Sequence, residues 1–415
     1  MNRRGFLQGT GVAGAIGLAG CLERLGFEEQ SAWRDPPLVE DRPDAVYFPA
    51  SRETMGSYGT ATDGEYAVAL SYTFPHRFWT IAGDETNRVT VDTEDTMHLM
   101  CTVWDPETDT VLPVEMELEI RQDGASVDRP LAWPMLSQRM GFHYGDNVQL
   151  PDDGEYTARI LVGPLEATPT GAFEGRFESA STLEIDFEYD RSDIHDLEFE
   201  ETDYDDWGSR AALELMDHGS SDGGHAHEHD DHSHGDDGNH GDDDGHDGHD
   251  HDDENHDHGD HDDDVGHPPT SRGPTIDDFD GELLGSESSA DATISAVRTN
   301  VDRLLEDNDG ESDAVADSDT GTSTYIAVFT RTPYNDVILP LMSLSMSVER
   351  DGAVVHEGSL RETLDHEFGH HYGVTVDDLE RGDRLQVSVD SHPQLARHDG
   401  YETAFFEFDD VVFSV

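Results

Sequence analysis

Between His218 and His267 the chain runs almost wholly in His, Asp and Gly, with hardly an apolar side chain. Such a segment cannot bury enough hydrophobic surface to offset its ordering entropy, so it is expected to be disordered and to divide the chain into two folding halves. Fourteen of the chain's 24 histidines fall here, among them His225, His227, His229, His232 and His234. Neutral imidazoles interleaved with carboxylates are ligands for divalent transition metals. A solvated acidic spacer would need only Asp and Gly, so the imidazoles point to metal capture.

The formal net charge is -70 over 415 residues, and Lys is absent. A surface this acidic repels nucleic acid and anionic membranes, so no nucleic-acid partner is expected. Acidity spread over the whole chain fits a proteome adapted to high salt, where charge is screened within a few ångströms. At the N-terminus, Arg3-Arg4 and a short weakly apolar run lead to Leu18-Ala19-Gly20-Cys21. This reads as a twin-arginine export signal ending in a lipobox, with Cys21 lipidated after cleavage. The apolar run is too short and too rich in glycine to span a bilayer. The expected location is extracytoplasmic, with the lipid anchoring the chain to the cell membrane. The other cysteine, Cys101, lies in an apolar run and reads as a small buried hydrophobe.

The domain reading is a signal over 1–20, a tether over 21–44, a β-sandwich over 45–192, an acidic and His/Asp-rich linker over 193–274, and a diverged second sandwich over 275–415. Short alternating runs at Tyr66–Phe74, Arg88–Asp92, His98–Trp104, Val114–Arg121, Tyr156–Gly163 and Ser181–Tyr189 are separated by turn signals such as Asp123-Gly124 and Asp153-Gly154. That spacing predicts an all-β, immunoglobulin-like sandwich. The second half repeats the first. Pro106 and Pro113 correspond to Pro333 and Pro340 at an offset of 227. His143-Tyr144-Gly145 corresponds to His371-Tyr372-Gly373 at an offset of 228. Several matches in register imply an internal duplication. Both copies end in alternating aromatic and acidic runs, Leu183–Tyr189 and Phe405–Phe413. Apolar spacing over Asp291–Leu305 predicts a helix before the second copy.

The stretch from Trp133 to Asn147 reads as a glycine-containing loop. Within it, Met135, Met140 and His143 offer thioether and imidazole ligands, a set that favours soft or borderline metals such as copper or ferrous iron. The alternative is that both methionines fill core and His143 bonds a carbonyl. This stretch, with Pro134-Met135 and Gly141-Phe142-His143-Tyr144-Gly145-Asp146-Asn147, resembles the signature loop of the periplasmic ferrous-iron-transport accessory proteins. The resemblance extends over roughly Ala45 to Tyr189. It implies an immunoglobulin-like metal-binding lipoprotein working beside a membrane metal permease. It also implies that Met135 and His143 are metal ligands, and it brings His76 close to a family histidine on the early strands. Trp133 stands where the family has a second Met, and Met140 near a family Asp. His98 is a further candidate, though on an apolar strand it also fits a satisfied core histidine.

In the second half, His366-Glu367-Phe368-Gly369-His370 matches the pattern of zinc proteases, whose chemistry needs both histidines on one helical face. Gly369 and Gly373 and the strand-like Val374–Val376 argue against a helix, so the match reads as a decoy and no enzyme activity is expected. His366, His370 and His371 remain candidates for a loop cluster. The expected cofactor is a divalent transition metal, iron or copper before zinc. The expected function is an exported, lipid-anchored metal-binding protein assisting metal acquisition. A metal buffer without a transporter, and a cell-surface adhesion or scaffold module, are the competing readings.

Overall fold

The computed structural model describes residues 36–216, 268–305 and 323–415. The export signal, Cys21 and the His/Asp tract with His225, His227, His229, His232 and His234 lie outside these residues. Among the described residues, no helix is long and apolar enough to cross a membrane.

Both halves are two-sheet β-sandwiches. In the first, a four-stranded sheet runs in the order Ser181–Tyr189, Gly154–Leu165, Val114–Gln122 and Ala125–Asp128. It faces a larger sheet that includes Ala67–Thr73, Met97–Asp105, Gly141–Val148 and Trp133–Ser137. In the second, a four-stranded sheet holds Ala353–Ser359, Ser343–Arg350, Arg384–Ser391 and Val411–Ser414. It faces a six-stranded one containing Ala292–Thr299, Ser323–Arg331, Gly369–Asp377 and Arg361–Asp365. Alternation makes these sheets two-faced: along Ser181–Tyr189, Leu183, Ile185, Phe187 and Tyr189 are buried and the acidic residues between them are exposed. Each such apolar side chain stabilises the fold by about 1.5–3 kcal/mol when fully buried. In each half an Asp-Gly pair at positive φ closes the hairpin after the long central strand. These are Asp123 (φ 50°) with Gly124 (φ 79°), and Asp351 (φ 51°) with Gly352 (φ 82°). Two left-handed residues in succession form the type I′ turn that matches strand twist.

The halves exchange strands. Ala396–Arg397 from the second half lies parallel to Trp133–Ser137, pairing Met135 with Ala396. Thr168–Thr170 from the first lies parallel to Arg361–Asp365, pairing Thr168 with Thr363. The two exchanges occupy equivalent places in the repeat, so the halves are related by an approximate two-fold. One core cluster runs through both, from Tyr144 and Ile160 to Leu339 and Tyr401.

Four expectations from sequence are corrected. Asp291–Leu305 is not one helix: Ala292–Thr299 is a strand and only Asp302–Leu305 is helical. A short apolar run fits either period, and the β-branched Thr293, Ile294, Val297 and Thr299 favour the extended form between two neighbouring strands. The Trp133–Asn147 stretch is a β-hairpin rather than a loop, with Trp133–Ser137 antiparallel to Gly141–Val148. Of Phe405–Phe413 only the end is strand, over Val411–Ser414. Residues 199–216, expected as linker, fold back on the first half. Phe199–Glu201 pairs with Ser51–Glu53, and Leu213 is buried.

Candidate metal centre

The hairpin sets the first two residues. Its register places Met135 directly opposite His143, so a separation of eight in sequence becomes one cross-strand pair. His143 is buried, and its Nδ1 meets the Gly141 carbonyl at 3.0 Å. Gly141 itself has φ 74°, a conformation that favours glycine. On the neighbouring strand His98 is fully buried, with Nδ1 3.0 Å from Asn147 Oδ1. The Asn147 amide also donates to the His76 carbonyl at 2.9 Å. His76 places Nδ1 3.0 Å from the Phe74 carbonyl and 2.7 Å from Glu53 Oε1.

The fourth imidazole comes from the other half. His398 follows the exchanged strand, and its backbone N–H donates to the Leu136 carbonyl at 3.1 Å. Several contacts hold it there. Asp399 pairs with Arg77 at 2.6 Å. The Tyr47 hydroxyl donates to Glu402 at 2.6 Å. The preceding Arg397 is fully buried; it donates to the carbonyls of Ala404, Pro393 and Phe405 and lies over the Phe406 ring. Burial pushes its guanidinium down to about 9.

Ring centroids of His76 and His98 are 4.2 Å apart, His76 and His398 4.7 Å, His98 and His398 5.5 Å, and His143 and His398 5.3 Å. The Nε2 atoms of all four are buried without a hydrogen-bond partner. A buried polar atom left unpaired costs about 1–3 kcal/mol, and His76, His98 and His398 bring ligand atoms within 4.8 Å of one another with the His143 ring 5.3 Å from that of His398, so the cluster is suited to a ligand. Where Nδ1 faces a carbonyl or carboxylate acceptor, as in His76, His98 and His143, the proton sits on Nδ1 and the lone pair on Nε2. A Cβ on Gly145 would lie 2.8 Å from His98 Nε2 and 3.1 Å from Met135 Sδ, so imidazole and thioether border the same small space. Burial holds His98 and His398 well below the usual imidazole range and His143 at about 4; neighbouring imidazoles add to each shift. All three are therefore neutral at neutral pH, the form that binds metal. Four imidazoles and a thioether fit a soft or borderline transition ion.

Among the described residues, His76, His98 and His398 form the one group of three His, Cys, Asp or Glu whose ligand atoms lie within 4.8 Å of one another. The other candidates lie elsewhere. Met140 sits in the hairpin turn, and its N–H is held by Ser137. His366 lies in the turn after Arg361–Asp365 and its Nδ1 accepts from the Ala172 N–H, so the protease-like segment is a hairpin, not a helix. His370 bonds Glu362 at 2.6 Å. His371 repeats the setting of His143, with Nδ1 on the Gly369 carbonyl at 3.0 Å, but its Nε2 meets the Tyr325 hydroxyl at 3.1 Å. Tyr325 occupies the place of His98 (98 + 227 = 325) and its hydroxyl lies against Gly373, filling the space that Gly145 leaves open. Thr363 stands opposite His371 where Met135 stands opposite His143. Thr170, two residues past the exchanged pair as His398 is, bonds Asp365 at 2.8 Å. Asp365 is paired with Arg303. The second half thus has the same frame with other residues at these positions.

Sequence reasoning missed His398, Glu53 and Asn147 as parts of one site. His398 falls at offset 228 from Thr170, so the repeat offered no histidine to match it.

Residues 277–414 match the family described as Domain of unknown function (DUF7350). No curated protein sequence matches the chain. Among solved structures, it is similar to a copper-bound variant of FetP from uropathogenic Escherichia coli strain F11, at 18% identity. The match covers 33% of this chain and 93% of that chain, with a TM-score of 0.27. It is also similar to copper-reconstituted P19 from Campylobacter jejuni, at 15% identity over 33% of this chain and 96% of that chain, with a TM-score of 0.26.

Proposed function

We propose that the chain is an exported, lipid-anchored carrier of a transition metal, copper before ferrous iron, that assists metal acquisition at the cell surface. The observation that carries this reading is the set of four imidazoles with buried, unpartnered Nε2 atoms beside the Met135 thioether. Copper is favoured because nitrogen and sulfur dominate the donor set, whereas the Glu53 carboxylate engages His76 at Nδ1 and leaves Nε2 for the ion. The twin-arginine motif and Cys21 support export and lipid anchoring, and a membrane metal permease is the natural recipient of a tethered ion.

The His/Asp tract would collect metal at low affinity. Its flanks favour delivery to the buried centre. The Met216 N–H, two residues before His218, donates to the Arg139 carbonyl at 2.8 Å. On the far side Ser271 accepts from the Phe142 N–H at 2.6 Å. The residues flanking the tract, Met216 and Ser271, are thereby fastened to the hairpin that carries Met135 and His143, and tethering of this kind gives effective concentrations on the order of mM.

The test is calorimetric titration of the full mature chain with Cu(II), and with Fe(II) under anaerobic conditions, against a chelator strong enough to strip the tract. One tight copper site is expected, and His398→Ala should weaken it by about tenfold or more, the loss of one good ligand. Unchanged copper affinity in both His398→Ala and His98→Ala would remove the buried centre as the metal site. Tighter Fe(II) than copper binding would reverse the choice of metal.

A further inference from the structure

Beside the imidazole cluster lies a cleft of about 100 Å³, lined by His76 and His398 on one side and by Met55, Met100, Met140 and Met216 elsewhere. These are four of the ten methionines in the chain. Methionine commonly fills irregular gaps in a core, but a filler occupies packed space, and these four border an open one. The charged residues of the cleft are largely neutralised. Arg52 pairs with Glu200 at 2.6 Å, Arg77 with Asp399 at 2.6 Å, and Glu53 with His76 at 2.7 Å. Arg139 remains, and its N-terminal neighbours Ser137 and Gln138 belong to the same wall. A lining without net negative charge offers little to a hard divalent cation. Thioethers are soft ligands and select monovalent copper.

We propose that this cleft is a second, transient metal site for a soft monovalent cation, Cu(I), held by the Met55, Met140 and Met216 thioethers before it passes to His76 and His398. The transfer is a ligand exchange, with no change in the oxidation state of the ion. The proposal rests on the reading of the imidazole cluster as a metal centre, and the two are separable by experiment. Ag(I), a redox-inert stand-in for Cu(I), is titrated into the full chain carrying 13C-methyl methionine. The Met55, Met140 and Met216 methyl signals should shift, in addition to that of Met135.

The triple variant Met55→Leu, Met140→Leu, Met216→Leu keeps apolar volume. It should load Cu(I) into the cluster about tenfold more slowly, with final affinity within about twofold of wild type. Cleft signals that stay still under Ag(I), or wild-type loading by the triple variant, would overturn the proposal. Movement of the cleft signals without that of Met135 would leave the cleft site standing and count against the thioether of the buried centre instead.

Discussion

Three of the four clustered imidazoles give Nδ1 to a fixed acceptor and keep Nε2 for a ligand. Met135, His143 and His76 were legible as candidates because the resemblance covers them, and His98 because it is a histidine on an otherwise apolar strand. His398 was not legible, because its role depends on a strand exchange between halves that no local pattern encodes. The neutral state of these groups has a consequence for stability. In the apoprotein His98, His143 and His398 are held below the ordinary imidazole value, His143 at about 4. In the unfolded chain they take up protons near pH 6.5. Between these values the unfolded state binds more protons, so unfolding free energy falls as pH falls. The slope is about 1.4 kcal/mol per pH unit for each such imidazole. Stability is full above about pH 6.5 and is lost on descending toward the folded-state values. Melting curves of the apoprotein between about pH 6.5 and 5, at constant high salt, should show this loss, and His143→Gln should make the slope shallower. A flat wild-type profile across that window would mean the imidazoles are not held neutral.

At the scale of the element, the hairpin is the decisive unit. Its residues read as a loop because Gly141 and Gly145 look like turn signals, yet each serves a different end. Gly141 supplies the positive φ that starts the return strand, and Gly145 leaves room between His98 and Met135. The misread helix over 291–305 has the opposite cause, since the neighbouring strands that decide it come from distant sequence. Gly145→Ala tests the room directly. Its Cβ would meet His98 Nε2 at 2.8 Å, Met135 Sδ at 3.1 Å and the Leu99 carbonyl at 3.2 Å. The side chains can yield more easily than the backbone, so the ligands should move. Copper affinity should fall by about tenfold or more, with a stability cost in the range of about 1–3 kcal/mol typical of overpacking. Paired titrations and melting curves check this, and wild-type affinity in Gly145→Ala would show that no ion uses that space.

For the whole molecule, the repeat offsets connect positions that are equivalent in the two halves, and the two-sandwich architecture followed from strand and turn spacing. What the offsets did not convey is that the copies pack as one two-fold unit, each lending a strand to the other. The two equivalent positions have then diverged. One collects His76, His98, His143, His398 and Met135. The other holds Tyr325 on His371, and Arg303 on an Asp365 carboxyl kept well below the usual carboxylate range, chiefly by that guanidinium against the cost of its burial. A single copy of the chain therefore contains all the residues of the proposed centre, and the equivalent place in the second half lacks them. The expected stoichiometry is one tightly held ion per chain, in a site that needs no second copy. Native mass spectrometry of the copper-loaded full chain, after a chelator has cleared the tract, should give one retained ion on the monomer mass. His371→Ala should leave that count unchanged, and His143→Ala at the equivalent place should abolish it. Two retained ions in the wild type, with one lost in His371→Ala, would mean that the second half has kept a working site despite Tyr325 and Thr363.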